Sequence, residues 1–310
     1  MSDRRSKLDT RAVGWMLLCT VLWGINQVAT KLALAEIPPL MQAAARSLGA
    51  ALLLLLWARA RGLRLFERDG TGAAGWLAGL LFAAEFACIF VGLQYTGASR
   101  MVVFIYLAPF VVALGMPLIS PAERLGGLQL AGLALAFGGV VWAFLGGFEA
   151  PSIGPLQWVG DALGIAAAVL WGLTTLVLRG SRLTTALPEK TLMYQLAVSA
   201  LALAAASLVA GEPWPVRLSG ASLWPLAFQT VIVSFASYLV WFWLIRHYPA
   251  TQLAAFSLLT PVSGLLAGVL MLGEPLMLRL VVALVTVSAG LALVNFTGRR
   301  TPRPAQVVEP

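Results

Sequence analysis

The sequence predicts an all-α integral membrane protein: ten transmembrane helices forming two inverted five-helix repeats, with both termini cytoplasmic. Three observations carry this. Of 310 residues, 60% are hydrophobic and only 11% charged, against about 25% charged in a soluble domain. The apolar residues fall into runs long enough to cross a bilayer, roughly 20 residues each. Motifs from the first half then recur in the second at a nearly constant offset.

The ten runs lie near 12–34, 40–59, 72–94, 98–118, 125–146, 157–178, 190–210, 222–245, 250–272 and 276–296. Strands of a β-barrel would be about 10 residues long and strictly alternating, and these runs are neither. Their connections are too short for a soluble domain. The implied organisation is a cytoplasmic tail (1–11), a first repeat (12–146), an extracytoplasmic linker (147–156), a second repeat (157–296) and a second tail (297–310).

The first run has a competing reading as a cleaved signal peptide. Arg4, Arg5, Lys7 and Arg11 precede it, and Ala33-Leu34-Ala35 resembles a peptidase site. Lys31 interrupts the run and the segment recurs later, which favours a span. The third run holds Glu85 inside LLFAAEFACIFVGL. A charge within a bilayer is costly and marks a functional position by default. One reading makes Glu85 a carboxylate that binds a substrate ammonium or takes up a proton. The other makes it half of an ion pair with Arg46 or Lys31. Lys31, near the outer end of its span, is expected to snorkel towards the interface.

Basic residues orient the chain. With the N-terminus inside, sixteen of the 21 Lys and Arg residues fall on cytoplasmic ends and loops, Lys190 among them. Three, Arg100, Arg217 and Arg279, fall opposite, and Lys31 and Arg46 lie within spans. The net charge of +8 therefore reflects topology and not a nucleic-acid-binding patch. Cys19 and Cys88 sit in apolar runs as small hydrophobes. No metal or cofactor motif is present.

The repeat is read from four matches. VLWG occurs at 21–24 and 169–172, an offset of 148, which places Lys31 opposite Arg179. YTGASRMVVFIYLAP (95–109) aligns with HYPATQLAAFSLLTP (247–261), placing Pro109 opposite Pro261. Glu123 matches Glu274 and Gly139 matches Gly290. Five spans per half is an odd number, so the halves enter the membrane from opposite sides. Inverted repeats with a site near the midplane are the architecture of secondary transporters.

The candidate site follows from polarity within the spans. Asn26, Gln27 and Thr30 lie along one stripe of the first span with Trp23 a turn earlier, and Thr174 and Thr175 match Asn26 and Gln27. Ser237 and Tyr238 match Glu85 and Phe86. Cavity lining and interhelical hydrogen bonding are the two readings of such residues. Tyr106 and Trp171 are candidates for an aromatic wall, together with Tyr238 and Trp241. Trp57, Trp76, Trp158 and Trp224 lie near span ends and read as interfacial anchors. Pro109 and Pro261 remove a backbone donor and crowd the carbonyls of Ile105 and Ser257, as hinges or as fixed kinks. Gly75/Gly79 and Gly264/Gly268 are small-residue pairs for close helix approach. His247, the single histidine, sits in a short turn.

These residues resemble a known family. The LWG signature in the first span of each half, Ala-Ser or Ala-Thr before a proline-bearing fourth span, and Leu-Gly-Glu at 272–274 are similar to the EamA family of the drug/metabolite transporter superfamily. Ala84-Glu85-Phe86 and Ile105-Tyr106-Leu107-Ala108-Pro109 resemble the bacterial YddG-type amino-acid exporters. That resemblance implies a cavity between the halves with Glu85, Tyr106 and Trp171 at cavity positions. Those exporters can carry an aromatic residue where this chain has Ala108, so the cavity is expected to be wider there.

The resemblance implies export of amino acids, aromatic or otherwise neutral, across a bacterial inner membrane. Nucleosides and drug-like amphiphiles are the alternative solutes. A membrane-embedded enzyme would need a nucleophile with its base, paired carboxylates or metal ligands, and no such constellation appears. The expected partners are a small-molecule substrate and the lipid bilayer, not nucleic acid. The sequence does not set the oligomeric state, and a monomer is compatible with all of it.

Overall fold

The computed structural model describes residues 9–67, 69–119, 126–149, 154–248, 253 and 259–297. Every regular element among them is helical: α1 Thr10–Ala33, α2 Pro39–Ala60, α3 Gly72–Gly92, α4 Ala98–Ile105, α5 Ala108–Ile119, α6 Gly127–Glu149, α7 Gln157–Arg179, α8 Pro188–Val209, α9 Gly220–Ala227, a π-helix Phe228–Ser237, α10 Tyr238–His247, α11 Leu259–Leu272 and α12 Leu278–Thr297. A 3₁₀ turn, Arg182–Thr185, precedes α8. Asp9 accepts from the Ala12 N–H at 2.9 Å and starts α1. Pro39 and Pro188 start α2 and α8, where the missing N–H costs nothing.

Seven helical segments are long and apolar enough to cross a membrane, with α4 and α5 counted as one (Ala98–Ile119) and α9 through Trp241 as another, and three more apolar helices are shorter, among the described residues. Their polarity is inside out. On α2, Leu48, Leu52 and Leu56 are exposed while Gln42 and Arg46 are buried. In a bilayer the solvent is apolar, so leucines face out and polar groups face protein.

Two predicted single spans are interrupted. The run 98–118 breaks at Tyr106 and Leu107 into α4 and α5, which places Pro109 in the first turn of α5. Proline cannot donate to the carbonyl four residues back, so the chain restarts its helix before it. The run 222–245 divides into α9, the π-helix and α10, with Pro225 inside α9. The start of the ninth run, Ser257 and Glu123 lie outside the described residues.

Helix contacts come in pairs related by exchange of the two halves. α2 packs on α8 and α6 on α12, each pair mapping onto itself. α1 packs on α11 as α7 packs on α5. α3 packs on α7 and α8 as the π-helix packs on α1 and α2. Glycine makes these crossings possible, because helices in lipid associate through close packing and not through a hydrophobic drive. A Cβ on Gly24 would lie 2.6 Å from the Gly264 nitrogen, and one on Gly172 would lie 2.5 Å from Val111. The glycine of each LWG motif is thus the crossing point between the first span of one half and the fourth span of the other. Gly75 and Gly79 lie against Tyr194 and Val198 in the same way.

Candidate functional site

Two large apolar cores occupy the bundle, one centred on α2, α3 and α8, the other on α4 to α7, α11 and α12, and a third, smaller cluster joins α1 to α10. Trp171 packs against both, so it sits at their seam. Its ring meets Tyr106 edge to face, with centroids 5.9 Å apart and planes at 85°. Tyr106 is buried where α4 gives way to α5, with its hydroxyl beside Thr260 of α11. Thr260 Oγ1 has no hydrogen-bond partner of good geometry. Tyr106 also lies within electrostatic reach of Tyr238, and Tyr238 within reach of Glu85 and Arg46. The seam therefore gathers side chains from α2, α3, α4, α7, α10 and α11.

A second set adjoins it through α1. Trp23 Nε1 donates to Ser237 Oγ at 2.9 Å, and Ser237 Oγ donates to the Val233 carbonyl at 2.6 Å. Trp23 also meets Trp241 edge to face, with centroids 5.5 Å apart. Thr30 Oγ1 lies 2.9 Å from the Asn26 carbonyl and 3.1 Å from Gln229 Oε1, and Gln42 donates to the Thr30 carbonyl at 3.2 Å. Asn26 Oδ1, Gln27 Oε1, Gln42 Oε1, Gln229 Nε2 and Ser234 Oγ have no partner. Most buried polar atoms of a folded protein are paired, so this concentration of unpaired ones is a polar patch that its neighbours leave unsatisfied.

Glu85 is 6% exposed, and its Oε2 is unpaired. Arg46 is within electrostatic reach but makes no direct ion pair with it. Lys31 is committed elsewhere: its Nζ donates to the Thr96 carbonyl at 2.8 Å and lies 3.5 Å from Glu274 Oε1. The contact ion pair with Arg46 or Lys31, one of the two readings of Glu85, is therefore absent among the described residues. Lys31 does not snorkel either, because those two acceptors hold it against α4.

Thr174 and Thr175 are less available than the sequence implied. Their hydroxyls donate to the Leu170 and Trp171 carbonyls of their own helix. Pro261 is buried within α11, and Pro109 lies in the first turn of α5. His247 Nδ1 lies 2.8 Å from the Trp243 carbonyl, and its ring packs on Trp243.

Two basic residues tallied as loop charges are inside the fold. Arg100 is buried against Asp161, with a further bond to the Ala143 carbonyl at 2.8 Å. Lys190 is buried, 2.7 Å from Asp69 Oδ2 and from the Glu67 carbonyl. Both are satisfied by acids or carbonyls that packing brings to them. Asp161, the acid within the sixth span, is an intramembrane carboxylate just as Glu85 is. Its partner Arg100 was hidden because it starts the fourth span, where a loop charge is the ordinary reading.

The EamA-like transporter family matches residues 10–145 and 158–296. The chain belongs to that family. It is 32% identical over 300 residues to an uncharacterized protein of Pseudomonas aeruginosa, covering 95% of this chain and 96% of the other. It is 27% identical to a protein of Salmonella typhimurium named as a probable amino-acid metabolite efflux pump, covering 94% and 96% of the two chains. An Escherichia coli protein of the same name is 25% identical with the same coverage. A solved crystal structure matches 94% of this chain and 99% of its own with TM-score 0.65 at 20% identity, a likeness of fold. The chain is accordingly a multi-pass membrane transporter of small metabolites, and membership in this family points away from an enzyme.

Proposed function

We propose that this transporter exports amino acids, aromatic or otherwise neutral, across a bacterial inner membrane by alternating access. The halves are 12–146 and 157–296, five spans each and inverted, joined by the linker 147–156, with both termini cytoplasmic. The excess of basic residues on one side supports this orientation. Buried Arg100 and Lys190 drop out of the tally without reversing it.

The observation that carries the reading is the seam itself. Tyr106 and Trp171 form an apolar wall, and Glu85, Tyr238 and the unpaired amides beyond them supply polar contacts. That combination suits a solute with an apolar side chain and a charged backbone. Two relatives named as probable amino-acid metabolite efflux pumps support the same class. Pro109, which follows the break at Tyr106 and Leu107, and its repeat partner Pro261 are the positions where the halves would flex.

The test is flux. The purified chain in liposomes is given labelled neutral amino acids, nucleosides and a drug-like amphiphile, with and without a pH gradient. Saturable amino-acid flux, lowered by Trp171→Ala and Tyr106→Ala with folding intact, supports the proposal. Movement of another class alone would assign a different substrate to the same fold. Dependence on the gradient that disappears in Glu85→Gln would make Glu85 the proton carrier.

A further inference from the structure

Arg46 differs from the other interior cations. Lys31, Arg100 and Lys190 each hold a carboxylate and a backbone carbonyl. Arg46 is 0% exposed, yet Nε, Nη1 and Nη2 have no hydrogen-bond partner. A buried guanidinium without a partner forfeits several charge-assisted hydrogen bonds and stays only if something compensates. Phe86 compensates on one face, its ring centroid 3.8 Å from the guanidinium carbon, with Phe90 at 5.6 Å. Stacking covers the face of the ion and leaves its edge. The edge is the part that takes a carboxylate through two parallel N–H···O bonds.

The anion is not supplied by the fold. Glu85 is close enough to balance the charge but not in contact, and its Oε2 is itself unpaired. One unpartnered guanidinium and one carboxyl with an unpartnered oxygen, both buried and near each other, form a complementary pair for a molecule carrying both charges. We propose that Arg46 binds the carboxylate of the transported amino acid and Glu85 its ammonium, so that the site selects zwitterions. The inference rests on the amino-acid reading above. In the site at rest the Arg46 guanidinium and the Glu85 carboxyl lie within electrostatic reach of each other without contact. When a zwitterion enters, each charge gains a contact partner and the net charge of the site is unchanged. A solute lacking either group would leave one buried charge unpaired, which is how a polar site rejects an analogue.

The experiment uses the full chain in liposomes, with uptake of labelled L-phenylalanine competed by phenylalaninamide, which lacks the carboxylate, and by 3-phenylpropanoate, which lacks the ammonium. The wild type should prefer phenylalanine to both. Arg46→Gln should raise the KM for phenylalanine about 10- to 100-fold, the range for loss of charge-assisted hydrogen bonds. It should also erase the preference over phenylalaninamide. Glu85→Gln should instead erase the preference over 3-phenylpropanoate. Arg46→Lys keeps the charge without the fork and should restore part of the preference, and it stands in if Arg46→Gln does not fold. Phenylalanine flux by the wild type with unchanged discrimination in the Arg46 variants overturns this inference alone. Absence of flux for every neutral amino acid in the wild type overturns the substrate reading and this inference with it.

Discussion

Removal of the Glu274 carboxylate should loosen the fourth span more than any other single polar deletion at that end of the bundle. Glu274 follows α11 in the second half, yet it caps α4 in the first. Its Oε1 accepts from the Ala98 N–H at 2.7 Å, and its Oε2 accepts from the Ser99 N–H at 2.9 Å and the Ser99 hydroxyl at 2.5 Å. Lys31 Nζ completes the set at 3.5 Å. Ala98 and Ser99 are buried, so Glu274→Ala strands two backbone donors away from water. Each stranded donor costs about 1–3 kcal/mol, and loss of a hydrogen bond to a charged group is of similar size. These terms overlap, and the loss should be about 3–5 kcal/mol, the range for breaking a buried ionic contact. A chain of this length should then melt on the order of 10 °C lower. Glu274→Gln keeps one acceptor oxygen and should lose roughly half as much, and Ser99→Ala less again. The assay is thermal unfolding in detergent, with hydrogen exchange at Ala98 and Ser99 as the local readout. A Glu274→Ala protein that melts within about 1 °C of wild type, with those amides still protected, would refute the capping argument.

Three further outcomes follow from the geometry. Gly24→Val should destabilise by about 1–3 kcal/mol or more, because its Cβ would meet backbone of α11; Gly14→Val, with nothing within 4 Å, is the control in the same unfolding assay. Asp161→Asn should cost about 3–5 kcal/mol by leaving Arg100 buried without its counter-ion, while the double change Arg100→Met with Asp161→Leu should recover much of the loss. Hydrogen bonds from Ser219 and Ser222 hold the Glu36 carboxyl below its usual range. A lowered folded value means its contribution is complete above the unfolded value, about pH 4.3, and is lost as pH falls through the folded value. Exchange protection of the Ser219 amide should therefore persist at pH 5 and vanish only in stronger acid; loss of protection already near pH 6 would contradict the assignment.

The sequence made the helical fold legible because each span satisfies its own backbone and must be apolar to face lipid. The pairing of helix contacts follows the repeat, with the glycine of each LWG motif at a crossing between halves. Interruptions were harder to read. A hydropathy run cannot show that α4 and α5 part at Tyr106, nor that Phe228–Ser237 winds as a π-helix, since these depend on backbone bonding within an unchanged apolar composition. Within the site, Glu85, Tyr106, Trp171 and Tyr238 stood out as polar or aromatic groups at mid-span depth, and the fold brings them to one seam. Pairing was not legible. Lys31 could be matched with Glu85 or Glu274 only once α1 and the end of α11 were packed together. Arg46 was visible as a charge, but its lack of a partner is a property of three dimensions.

The most direct test of the account is substrate protection at the seam. A chain in which Cys19 and Cys88 are replaced and Thr260→Cys is introduced can be labelled in liposomes by a membrane-impermeant thiol reagent. If the solute sits between the halves, a transported amino acid should slow labelling at that position. The protection should be saturable and should follow the concentration dependence of flux. A single cysteine in an exposed turn away from the seam, such as Thr184→Cys, should label without protection. Flux that saturates while labelling of Thr260→Cys stays unchanged would place the solute elsewhere and contradict the central site.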